Sequence, residues 1–164
     1  MSTLKDRWAT IVLAIATALA AANVGQILLT HAHYQSWQHI SPHDMTAVHD
    51  NWASVVDTVI MPLAIASAAC TLTTLVLRHS RVPWWTVGTA AAIHAAVFIT
   101  SFTMWAKWQH QIGNRGYVRD TDNTFSVPYE RIMDTHWLRI TLMTILALVT
   151  LAMLLRATTR KTHA

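Results

Sequence analysis

Charge is the scarcest commodity in this chain. Only 12% of its 164 residues are charged, against ~25% in an ordinary soluble domain. Another 53% are hydrophobic, and the mean hydropathy is +0.32. Glycine and proline occur four times each, and no Rossmann or P-loop glycine pattern is present. The single cysteine, Cys70, allows no internal disulfide and leaves the redox compartment unread. Lys and Arg are absent between residues 30 and 51. No internal repeat, low-complexity tract or second domain stands out, so residues 1–164 are expected to form a single membrane domain.

What remains is apolar and falls into four runs, Trp8 to Leu29, Ala53 to Leu77, Trp84 to Trp105 and Trp137 to Leu155. Each approaches the ~20 residues that carry a helix across ~30 Å of hydrocarbon. The expected fold is an all-α membrane protein, a bundle of four transmembrane helices over about 8–29, 52–77, 84–106 and 136–156. Loops of about 30–51 and 107–135 are expected on the extracytoplasmic side. Lys5 and Arg7 before an alanine-rich stretch also resemble a signal peptide, but the run continues past Ala22 to Leu29, so a retained helix is expected.

Lys5, Arg7, Arg78, Arg81, Arg156, Arg160 and Lys161 place positive charge at both termini and in the second connection, which the positive-inside rule makes cytoplasmic. Lys107, Arg115, Arg119 and Arg131 run against that asymmetry. The formal net charge of +4 therefore reports topology, not a nucleic-acid partner, and the expected location is a bacterial inner membrane.

Small residues recur at four-residue spacing as Ala14, Ala18 and Ala22, as Ala64 and Ala68, and as Gly88, Ala92 and Ala96, marking expected helix contact faces. Pro62 lies inside the second run and is expected to bend it or free a carbonyl near Thr58. Trp8, Trp52, Trp84, Trp85, Trp105, Trp108 and Trp137 lie near the ends of runs, where interfacial anchors belong.

Asn23, Gln26, Asp57, His94, His136 and Arg139 are polar or ionisable within or beside the runs. An ionisable group in hydrocarbon costs ~2.5 kcal/mol or more, so these groups are expected to face a partner or a watered cavity. At 1.5 Å per residue, Asn23 and Asp57 lie roughly 9 Å from the outer helix ends, Arg139 about 5 Å and His94 about 16 Å. The polar core is thus expected in the outer half of the bundle, with a pocket opening outward or laterally and a dry inner half.

Ten histidines complete the picture, with His31, His33, His39, His43 and His49 in the first external segment. Imidazole is the commonest metal ligand. A metal site from His31, His33, His49, Asp57, His94 and His136, holding copper or iron, is one expectation. No spacing matches a zincin, a zinc ribbon or a di-iron bundle. His39 and His43 read as a solvated helix face, and His79, His110 and His163 as polar loop or terminal residues. Asp57 with Arg139 also reads as a buried ion pair that fixes register.

The segment WAKWQHQIGN, Trp105 to Asn114, followed by YERIMDTHWLRITL, Tyr129 to Leu142, resembles the end of the anthrone oxygenase-like family of small four-helix membrane proteins. The matching positions are Asn114, His136, Trp137 and Arg139, all in the last third of the chain. This chain departs from the family in lacking an Asn-Val-Pro-Leu run before the Asn, and in its histidine-rich first loop.

The resemblance implies an oxygenase that converts an activated methylene of a small phenolic or polycyclic aromatic substrate into a carbonyl with molecular oxygen. His94 or His136 then suits a general base, and Arg139 or Asn114 an oxyanion stabiliser. Cofactor-free oxygen chemistry and a copper or iron variant both remain open. The competing class is a non-enzymatic membrane protein, a transporter subunit or a metal- or haem-binding partner, in which the same residues handle protons or ions.

Overall fold

The computed structural model describes residues 4–159. Arg160, Lys161 and His163 lie outside the described residues. Four long helices fill it: Leu4–Ser36, Pro42–Val76, Trp84–Arg115 and Val127–Thr158. Each is long and apolar enough to cross a membrane. There is no β-sheet among the described residues, only an isolated antiparallel bridge between Arg119 and Phe125.

The helices form an up-and-down ring. The first packs along the fourth and against the second, and the third packs against the second and fourth. Short connections enforce this order. Ser41 caps the second helix by accepting the Asp44 N–H at 3.3 Å, with Pro42 in its first turn. Gly116, at φ +69°, ends the third helix in a left-handed conformation that glycine adopts without strain. Ser126 and Pro128 open the fourth.

The helices extend beyond the apolar runs. The segments expected as loops, 30–51 and 107–135, are largely helical and form a cap with its own core. Tyr34, Trp37, Met45, Trp108 and Ile112 pack there with Tyr129 and Ile132. Trp105 and Trp108 are buried in this cap and Trp52 is packed against it, so these three are core residues and not lipid anchors. Trp8, Trp84, Trp85 and Trp137 are exposed, as the anchor reading expects.

The small-residue stripes of the first and third helices are corrected likewise, whereas Ala64 and Ala68 of the second are half-buried. Ala14, Ala18, Ala22, Gly88 and Ala92 face outward. The first helix buries Ala9, Leu13, Ala16, Ala20, Asn23 and Ile27, and the third buries Val87, Ala90, Ile93, His94 and Val97. Lipid is as apolar as a core, so an alanine stripe alone does not say which way it turns.

Lys5, Arg7, Arg78, Arg81 and Arg156 gather at the end opposite the cap. That end is not as dry as expected. Asp6 accepts the Ser80 N–H at 3.0 Å and its hydroxyl at 3.2 Å, and His79, buried rather than a free loop residue, sits 3.9 Å from the same carboxylate. Arg81 donates to the Thr159 carbonyl at 2.6 Å, tying the second connection to the end of the fourth helix.

Two helices are locally underwound and widened. At Val56–Ile60 and Ser101–Trp105 the backbone takes a π-type turn, in which Met61 N–H bonds the Val56 carbonyl and Ala106 N–H the Ser101 carbonyl. The first of these ends at Ile60, two residues before Pro62, which has no N–H to offer Thr58. Such turns carry an extra residue and bulge the helix, often where a site is built.

Candidate functional site

Both wide turns line one cavity of about 310 Å³ at the capped end of the bundle. Pockets for small molecules run from ~300 to 1,000 Å³, so this one suits a compact ligand. Val56, Asp57 and Ile60 come from the second helix, Ser101, Phe102 and Trp105 from the third. The first helix contributes Gln26, Thr30 and Tyr34, and the fourth contributes Arg139 alone.

The cavity has an open side. Asp57, Phe102, Ala106 and His110 are exposed, whereas Tyr34, Ile60, Val97 and Trp105 are buried. The mouth therefore lies between the second and third helices, which touch each other above and below it. Above it the His49 ring packs so closely on Gly113 that a Cβ there would overlap the imidazole. His49 also lines the cavity, and its Nδ1 lies 3.5 Å from the Asp50 carboxylate.

The inner wall is fixed by a chain of polar contacts. Trp105 Nε1 donates to Thr135 Oγ1 at 2.9 Å, and the Arg139 guanidinium lies over the Trp105 ring, 5.3 Å from its centroid. Arg139 Nε is buried with no hydrogen-bond partner. Gln109 donates to the Tyr34 hydroxyl, and the Tyr129 hydroxyl donates to the Tyr34 carbonyl at 3.0 Å. An arginine in an apolar cavity with an unused donor is costly, and a ligand oxygen is a group that satisfies it.

The other residues expected at the site are distributed around this cavity. His31 and His136 stack with centroids 5.3 Å apart and planes 18° from parallel. His136 is fully buried behind Tyr34 and Trp105, and neither of its ring nitrogens is hydrogen-bonded. His33 stacks on Trp52 at 4.2 Å and accepts the Trp37 indole N–H at 3.0 Å. His94 is buried beside Phe98, which lines the cavity, but does not line it itself, and its Nδ1 is unpartnered. Asn114 is exposed and bonded to His110 at 3.0 Å. His39 and His43 are exposed, as a solvated face should be.

Asp57 and Arg139 share the cavity, yet no ion pair joins them among the described residues. The register-fixing pair expected between them is absent. Nor do the six expected ligands converge. Among the described residues no group of three or more His, Cys, Asp or Glu side chains is placed to hold a metal ion. The donors present among the described residues do not fit a copper or iron centre.

Several cavity residues were not singled out by sequence. Tyr34 is the clearest, and its signal was present: Ile27, Thr30 or His31, Tyr34 and Trp37 continue the buried stripe of the first helix at spacings of three and four. Gln109 lies in the polar stretch after the third run, one turn beyond Trp105. No protein-family model, curated protein or solved structure matches the chain.

Proposed function

We propose that this protein is a membrane-embedded oxidoreductase of the oxygenase kind, acting on a small aromatic molecule whose activated methylene is converted to a carbonyl by molecular oxygen. The observation that carries the reading is Arg139 in an aromatic-walled cavity, over Trp105 and with a buried donor unused. A phenolate or enolate oxygen on a flat apolar body complements that wall. The likeness of Trp105 to Asn114 and Tyr129 to Leu142 to the anthrone oxygenase-like family supports the same chemistry.

The roles follow from position. His49 lines the cavity and has a carboxylate beside Nδ1, so it is the general base, in place of His94 and His136, which do not line it. Removal of a C–H proton by His49 leaves a carbanion whose charge spreads onto the substrate oxygen held by Arg139. The electron-rich carbanion gives electrons to dioxygen and forms a C–O bond. Loss of the second C–H proton with O–O cleavage then leaves the carbonyl and water. One methylene is oxidised by four electrons and one dioxygen is reduced, with no further reductant. Asn114 acts at a distance, through its bond to His110 at the mouth.

Positive charge at the uncapped end supports placing that end, with both termini, in the cytoplasm and the cavity toward the extracytoplasmic face. A lateral mouth suits a substrate already dissolved in the bilayer. The test is oxygen uptake by the protein in lipid nanodiscs with polycyclic ketones that carry an activated methylene. His49→Gln is expected to slow turnover by roughly 10²–10⁴, and Arg139→Gln by about 10²–10³. Uptake at the wild-type rate in both variants sinks the reading. Binding without uptake moves the protein to the non-enzymatic class.

A further inference from the structure

Asp57 takes no part in the chemistry above, and its position calls for a separate account. It stands in a π-type turn inside an apolar run, exposed at the mouth of the cavity and unpaired with Arg139. A carboxylate there is expensive to hold. Thr58 beside it returns its hydroxyl to the Ser54 carbonyl at 2.7 Å, so the neighbouring hydroxyl does not satisfy it. Between the two charges run aromatic walls, Trp52, Phe98, Phe102 and Trp105. The cavity is therefore polarised, cationic at its inner wall and anionic at its mouth, with an apolar stretch between.

We propose that the ligand is bipolar: an aromatic amphiphile whose acidic oxygen leads inward to Arg139 while a hydrogen-bond-donating or cationic group trails at Asp57. This deepens the oxygenase reading and rests on it for the role of Arg139. The same two charges also set direction. A ligand entering in reverse brings its anionic end to a carboxylate and its donor to a guanidinium, and both contacts are repulsive. Asp57 thus selects the substrate and orients it, without touching the reacting carbon.

The probes are three naphthalenes added to the protein in nanodiscs: 2-naphthoate, 2-naphthylamine and 6-amino-2-naphthoate, with binding read by their fluorescence. The amino acid is expected to bind about tenfold tighter than naphthoate, the ratio that one charge-assisted hydrogen bond supplies. Asp57→Asn should remove that margin while naphthoate, which has no amine, still binds at least as tightly as to the wild type, and that binding certifies the fold. Asp57→Glu should keep the margin. Arg139→Gln should weaken both acids alike. Equal affinities for the two acids in the wild-type protein, or a margin that survives Asp57→Asn, overturn the proposal. Should naphthoate bind through Arg139 with no amine margin, the bipolar ligand fails and the oxygenase reading stands. If no acid binds through Arg139, both fail.

Discussion

The Trp105 ring and the Arg139 guanidinium lie against each other across the third and fourth helices, and the indole N–H is tethered to Thr135, one turn before that arginine. The tryptophan is a positioning residue that holds a cation with which no carboxylate pairs among the described residues. A cation–π contact is worth ~0.5–2 kcal/mol according to its desolvation. Trp105→Leu is therefore expected to weaken binding of an acidic aromatic probe by about three- to thirtyfold. Trp105→Phe keeps a ring and should retain most of the affinity. Equal losses in the two variants, measured by titration in nanodiscs, would contradict this role.

Gly113 faces the His49 imidazole with no room for a side chain. Gly113→Ala should displace that ring and loosen the contact that closes the cavity from above. Overpacking of this kind costs ~1–3 kcal/mol. A lower melting temperature in detergent, together with reduced binding, is the expected outcome, and an unchanged melting curve counts against the contact.

Pro62 follows the wide turn that presents Asp57. Pro62→Ala restores an N–H that the Thr58 carbonyl accepts in a regular helix, so the turn has less reason to stay wide. Thermal stability should rise while ligand binding falls. A variant that gains stability and binds as before would separate the turn from the site.

In the connection before the fourth helix, Asp122 accepts from the Thr124 hydroxyl at 2.7 Å and from its N–H at 3.1 Å. These bonds favour the carboxylate and hold its pKa below the usual value. The contribution to the turn is present above the ordinary carboxylate pKa and is lost as the pH falls through the depressed one. Carboxyl carbon shifts in an NMR titration should report the low value, and Thr124→Ala should raise it. No movement in that variant would remove the cause assigned.

The four helices were legible because twenty apolar residues in a row leave few other structures. Which face of each helix turns inward was not. Ala14 and Ala18 have the same spacing as Ala16 and Ala20, and hydropathy is blind to the difference when the solvent is itself apolar. The polar residues were better guides. Asp57 and Arg139 lie on the cavity, while His94 is buried but elsewhere. Depth along a helix is counted from sequence, but rotation about its axis is set by partners. The π-type turns shift that rotation by a further residue, so no periodicity rule carries Phe102 or Trp105 to the site.

The cap has a physical character unlike the rest of the bundle. Tyr34, Trp37, Trp108, Ile112 and Tyr129 come from outside the four apolar runs and pack as a water-soluble core does. Expulsion of water holds such a core together, whereas helices within hydrocarbon depend on close fit and hydrogen bonds. In a membrane the molecule would thus answer to two solvents. Urea is expected to act on the half that closes over the cavity, and a change of detergent on the half that supports it, so occupancy of the cavity can be lost while the four long helices remain.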